Sequence, residues 1–205
     1  MVRFGMTTVM LATAAVSLLG LSNSALAADD VEVTAADGLV VINGTVGNVK
    51  VFDGGRVLID GARVEGDVKA DGAYRVEIRF RTIVEGDVKI KDTTLIRVVD
   101  SFIEGDVKIK ENDTGDVPIN INRNEIEGDV KVKENTSSEI RIKNNEIEGD
   151  LKAEDNDAEM VVGKNIVEGD IDIDEDEDED EDDDDEDDDD EDDDDDDDED
   201  EDEDD

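Results

Sequence analysis

From residue 39 onward, apolar and charged positions alternate in short pieces. In Asp87-Val88-Lys89-Ile90-Lys91, the apolar Val88 and Ile90 share one side and the charges take the other. A period of two is the signature of a strand with one buried face. A second alternating piece precedes each such phrase: Val57-Leu58-Ile59, Ile96-Arg97-Val98, Ile119-Asn120-Ile121, Ile140-Arg141-Ile142 and Met160-Val161-Val162. Val and Ile with interleaved charge suit a half-buried pleated surface, and helical spacing occurs nowhere between 39 and 173.

The phrase itself recurs. VEGDVKA (64–70), VEGDVKI (84–90), IEGDVKI (103–109), IEGDVKV (126–132), IEGDLKA (147–153) and VEGDIDI (167–173) follow a weaker copy, VGNVKV (46–51). Their glycines, Gly47, Gly66, Gly86, Gly105, Gly128, Gly149 and Gly169, are 19, 20, 19, 23, 21 and 20 residues apart. A period near 20 with insertions tolerated marks a stacked repeat, and it is too short for paired-helix repeats. These features predict an all-β chain, a parallel β-solenoid of about seven coils of ~20 residues, with neighbouring coils pairing edge to edge. Parallel crossovers are right-handed in nearly all cases, so a right-handed β-helix is expected. At about 4.8 Å per coil it would form a rod of roughly 34 Å.

Two corners follow from the spacing. Two residues before the Ile or Val that opens each phrase stand Gly44, Ala62, Thr82, Ser101, Asn124, Asn145 and Asn165. Small or hydrogen-bonding residues there predict a stacked turn in which each side chain bonds the next coil. The glycine marks another corner, needing either an unusual backbone angle or close approach. The copy at Val76-Glu77-Ile78-Arg79-Phe80 is out of step by one residue, which predicts a bulge. The variable segments 52–56, 92–94, 111–117, 134–138 and 154–158 are expected to be loops.

Stacked repeats imply stacked charges. Glu65, Glu85, Glu104, Glu127, Glu148 and Glu168 should form one column, and Asp67, Asp87, Asp106, Asp129, Asp150 and Asp170 a second. Lys50, Lys69, Lys89, Lys108, Lys131 and Lys152 should form a third, beside the Asp column and able to neutralise it. The plain reading is a compensated, solvated face; the sharper one is cations held between coils.

The ends differ from the repeats. Met1-Val2-Arg3, an uncharged apolar run from Met6 to Gly20, and Ala25-Leu26-Ala27 have the layout of a secretory signal peptide over 1–27. The apolar run is short of the roughly 20 residues a spanning helix needs. Residues 28–38 read as a lead-in, 39–173 as the solenoid and 174–205 as a tail of 32 consecutive acids. Taking those 32 from 66 acidic residues leaves 34 against 19 basic ones once Arg3 is set aside, so 28–173 is near −15. An exported chain is expected, periplasmic or extracellular in a bacterial host, without membrane insertion. Nucleic acid is excluded by charge, leaving divalent cations or basic surfaces as partners. The tail has no apolar side chain to bury and is expected to be disordered.

No cofactor is expected. With neither Cys nor His, the usual zinc, copper and haem ligands are missing, and oxygen-preferring calcium remains. The candidate metal-binding residues are Asp182, Asp183, Asp184, Asp185, Asp187, Asp188, Asp189 and Asp190 of the tail, binding non-specifically and weakly. Catalysis is not expected, because the acids repeat from coil to coil and no unique cluster with Arg and aromatic walls stands out. The recurring Ile-Glu-Gly-Asp-Val-Lys-Val phrase, over roughly 39–173, resembles the repeats of bactofilins, bacterial polymer-forming proteins built on a short right-handed β-helix. That resemblance implies self-association into filaments as an alternative to an exported, calcium-collecting scaffold.

Overall fold

In the computed structural model, which describes residues 28–174, each coil lays one strand on each of three parallel sheets. The first sheet takes the Lys-bearing strands Val49–Val51, Val68–Asp71, Val88–Lys91, Val107–Lys110, Val130–Lys133 and Leu151–Glu154, and ends on Ile171–Ile173, where Asp172 replaces the lysine. The second takes Leu39–Ile42, Arg56–Asp60, Arg75–Arg79, Leu95–Val99, Ile119–Asn122, Thr136–Lys143 and Asp157–Gly163, with Asp113–Gly115 as an additional strand supplied by one coil. The third is built from two-residue strands, from Thr45–Val46 to Ile166–Val167. Every pairing is between one coil and the next, and the product is an all-β parallel solenoid of about seven coils.

The register explains the composition. Val88 pairs with Val68 and Val107, and Ile90 with Ala70 and Ile109. Like aliphatic side chains therefore stack in columns, five to a coil. In one coil these are Val88, Ile90, Ile96, Val98 and Ile103, each at most 1 % exposed. Burying each Val or Ile contributes roughly 1.5–3 kcal/mol. Columns one strand spacing apart suit β-branched side chains and leave no room for rings. Phe52, Tyr74 and Phe80 all lie outside, 43, 49 and 58 % exposed.

The lead-in is not separate from the solenoid. Val31–Val33 pairs with Val49–Val51, extending the first sheet to eight strands. Asp30 takes the place of the repeat aspartates, accepting the Asn48 N–H at 2.8 Å. Its match to the repeat was hidden by Ala28-Asp29 standing where later copies have Glu-Gly.

Two local expectations are corrected. Arg75–Arg79 carries no bulge: it pairs in continuous register with Arg56–Asp60 and with Leu95–Val99. The extra residue is absorbed in the following corner, where Phe80 and Arg81 both have positive φ, 55° and 62°. The other coils use one left-handed residue there, such as Asp100 or Arg123. Register shifts fall instead between Asp113–Gly115 and Thr136–Lys143, the site of the longest insertion, and between Thr136–Lys143 and Asp157–Gly163. The segments 111–117, 134–138 and 154–158 are also only partly loop, because Asp113–Gly115 is a strand and Thr136 and Asp157 already open strands.

The repeat glycine is needed for close approach. Gly86, Gly105, Gly128 and Gly149 are not in the left-handed region. A Cβ on Gly105 would lie 2.5 Å from Asp87 Oδ1 and 2.7 Å from the carbonyl of Gly86 one coil away. Glycine lets two backbones meet where the third sheet turns into the first.

Candidate functional site

The aspartate column is present, and its work is structural. Asp67 Oδ1 accepts the Asp87 N–H at 2.9 Å, and Asp87 Oδ1 that of Asp106 at 2.9 Å. The series continues through Asp129, Asp150 and Asp170 at 2.9 to 3.0 Å. The Oδ2 of Asp67, Asp87, Asp106 and Asp129 meets the lysine two residues on, Lys69, Lys89, Lys108 or Lys131, at 2.6 to 2.8 Å. Lys152 lies 3.6 Å from Asp150, and Asp170 has Asp172 in the lysine position. The lysine hydrogen bond, followed by the backbone N–H, holds Asp67, Asp87 and Asp129 below the ordinary carboxylate range. The same bonds raise Lys89 and Lys131. Both oxygens of these carboxylates are thus engaged within the protein, which leaves them poor ligands for an inter-coil cation.

The corner column bonds from coil to coil at its asparagines, each Oδ1 reaching back to the preceding coil. Gly44 and Ala62 have no side-chain group to offer, and Ser101 Oγ donates to Val99 O of its own coil. Asn145 Oδ1 accepts both the N–H and the Nδ2 of Asn124, one coil earlier, at 2.9 and 3.0 Å. Asn165 does the same for Asn145 at 2.9 and 3.0 Å, and Asn124 Oδ1 accepts the Ser101 N–H at 3.1 Å. Each Nδ2 also donates to a strand carbonyl, Asn145 to Ile121 O at 2.9 Å. A second asparagine ladder, not foreseen, runs through Asn112, Asn135 and Asn156 at the corner between the first and second sheets. Its sequence signal was an Asn or Thr two residues after the second Lys position, masked by the variable segments that follow.

The glutamate column stays at the surface, with Glu85 paired to Arg63. Among the described residues, no group of three or more acidic side chains could hold a metal ion. The candidate ligands Asp182, Asp183, Asp184, Asp185, Asp187, Asp188, Asp189 and Asp190 lie outside the described residues, as does the signal-like segment 1–27. No helix among the described residues is long and apolar enough to cross a membrane.

One part of the outer surface breaks the repeat, contrary to the expectation that no unique constellation exists. On the second sheet, Glu77 points outward yet is 3 % exposed. Arg75 Nη2 reaches its Oε1 at 2.9 Å, and Arg79 Nη1 lies 3.8 Å from Oε2. Arg79 also donates to Asp60 Oδ2 at 3.1 Å. Arg56 lies directly beside Arg75 in register, its guanidinium 4.5 Å from the centre of the Tyr74 ring, and Arg79 sits 4.8 Å from that of Phe80. Arg97 flanks Glu77 from the next coil. The sequence signal was uneven arginine use: after residue 27, six of eight arginines fall between 56 and 97. No protein-family model, curated protein or solved structure matches the chain.

Proposed function

We propose that the chain is an exported, non-enzymatic repeat scaffold at the cell surface, in the periplasm or in the extracellular matrix, whose acidic segment 174–205 takes up divalent cations, calcium above all, weakly and in large number. The observation that carries this reading is a contrast in how carboxylates are employed. In the solenoid, the repeat aspartates from Asp67 to Asp129 are matched by a lysine and a backbone donor. The 32 acids of 174–205 have no basic residue among them. Contiguous carboxylates offer many oxygen ligands, and dissociation constants of about 10⁻⁴–10⁻³ M suit such sites in extracellular modules. The test is titration calorimetry of the whole chain against a variant lacking 174–205, at physiological salt. Many weak calcium equivalents confined to the whole chain are expected; equal uptake by both would overturn the reading.

A second reading, self-assembly end to end, has one observation in its favour. The last coil leaves Ile166 and Ile171 66 and 59 % exposed, on sheets whose next strand positions are unfilled among the described residues. An open strand edge is a template for pairing, and the adjoining −32 segment would oppose it by repulsion. Electron microscopy of the variant lacking 174–205, with and without calcium, tests this. Filaments would favour it, and a monodisperse variant at high concentration would discard it.

A further inference from the structure

The arginine and aromatic cluster on the second sheet is costly as a purely structural feature. Arg56 and Arg75 are direct cross-strand neighbours of like charge, an arrangement that destabilises a sheet. Among the described residues Arg56 has no ion pair, and its guanidinium lies over the Tyr74 ring. Buried Glu77 Oε2, Arg75 Nε and Arg79 Nε have no hydrogen-bond partner. Counted together, Arg56, Arg75, Arg79 and Arg97 against Glu77 and Asp60 give this patch a charge of +2, on a body near −15. Departures from local rules without a stabilising return concentrate at functional sites.

We propose that this surface binds an acidic polysaccharide, with carboxylates of uronate-type sugars on the guanidiniums and sugar rings on Tyr74 and Phe80. The guanidinium fork matches a carboxylate in a bidentate way that a lysine cannot. The lysine columns on the first sheet are in addition already occupied by their aspartates. Tyr74 and Phe80 flank the Arg75–Arg79 strand and are about half exposed. Exposed rings in a chain whose core excludes aromatics supply a flat apolar surface for the C–H face of a sugar. Leu39 and Val41, 47 and 52 % exposed on the same outer face, extend that surface toward the N-terminal end. A polyacidic peptide would satisfy the charges and leave the rings unused, so the ring-bearing polyanion is favoured. Glu77 is a positioning residue here: it holds Arg75 and Arg79 side by side.

The experiment is calorimetric titration of the whole chain with polygalacturonate, in EDTA and at low salt, so that cation bridging by the acidic segment plays no part. Saturable binding is expected. Arg56→Ala and Tyr74→Ala, neither of which touches Glu77, should each weaken it about tenfold. Lys143→Ala, removing a cation elsewhere on the same sheet, should leave it unchanged. The proposal is overturned if polygalacturonate does not bind, if Lys143→Ala weakens binding as much as Arg56→Ala, or if poly-aspartate binds as tightly with no effect of Tyr74→Ala. Loss of calcium uptake by the tail would leave these results untouched.

Discussion

Replacing Asn145 by alanine should be among the most damaging single changes in the solenoid. Its side chain is 2 % exposed and makes four hydrogen bonds, to the Asn124 N–H, Asn124 Nδ2, Ile121 O and Asn165 Oδ1, at 2.9 to 3.0 Å. The two side-chain partners have other bonds to fall back on: Asn124 Nδ2 still reaches Val98 O at 2.8 Å, and Asn165 Oδ1 still accepts the Asn145 N–H. The Asn124 N–H loses its partner in a buried corner, while the Ile121 carbonyl keeps its ladder bond from the Lys143 N–H. An unsatisfied buried group costs about 1–3 kcal/mol, so a loss of about 1–3 kcal/mol is expected, a sizeable share of the roughly 5–15 kcal/mol that holds a domain together. Asn145→Asp should be damaging too, since it keeps the acceptor but turns a carboxylate oxygen toward Ile121 O and Asn165 Oδ1. The assay is urea unfolding followed by circular dichroism, with exposed Asn43→Ala as the control. A stability change for Asn145→Ala within about 0.5 kcal/mol of that control would refute the ladder as a source of stability.

Asp106→Asn should be nearly silent, because Asn48 occupies the same column and accepts the Asp67 N–H at 3.0 Å; Asp106→Ala should cost about 1–3 kcal/mol in the same assay by stranding the Asp129 N–H. Gly105→Ala should cost about 1–3 kcal/mol or more through backbone overlap, whereas Gly163→Ala, where an added Cβ meets nothing within 4 Å, should be tolerated; a thermal melt compares the pair. The depressed folded-state pKa values of Asp67, Asp87 and Asp129 make their contribution fully present above the unfolded value near 4. That contribution is lost as pH falls through the folded values. Glu111, brought to about 2 by Lys110 and then Lys91, acts in the same direction. Unfolding monitored by circular dichroism should therefore become progressively easier below about pH 4, and unchanged urea midpoints down to pH 2 would contradict this.

The sheets were legible because a solenoid writes its core once per coil. Val88 and Ile90 alternate with lysine, and their equivalents return every ~20 residues, so period and face could be read together. The Asn124–Asn145–Asn165 corner was legible for the same reason, as one residue type at one fixed distance from the glycine phrase. What escaped depended on contacts that spacing does not encode. Asp87 was visible as a charge beside Lys89, but its bond to the Asp106 N–H requires knowing which way the side chain leans along the stack. The one-residue slip at Ile78 looked like a bulge because the strand and the corner are indistinguishable in one dimension. Two left-handed residues in the corner accommodated it instead. The Glu77 cluster escaped because reading by repeats looks for what recurs, and this cluster is assembled once, from unlike residues of three adjoining coils.

The opposed sense of the two ladders has a consequence for how such a chain can change length. The Oδ1 of each repeat aspartate from Asp67 to Asp150 accepts from the C-terminal neighbour, and the Oδ1 of Asn124, Asn145 and Asn165 accepts from the N-terminal one. The junctions at the repeat aspartates from Asp67 to Asp170 therefore share one hydrogen-bonding scheme. Excising 87–105 would place Asp106 directly after Gly86, with its amide delivered to Asp67 exactly one storey below. A molecule assembled this way can be shortened or lengthened by whole storeys without redesigning any joint, which makes its span an easily adjusted property.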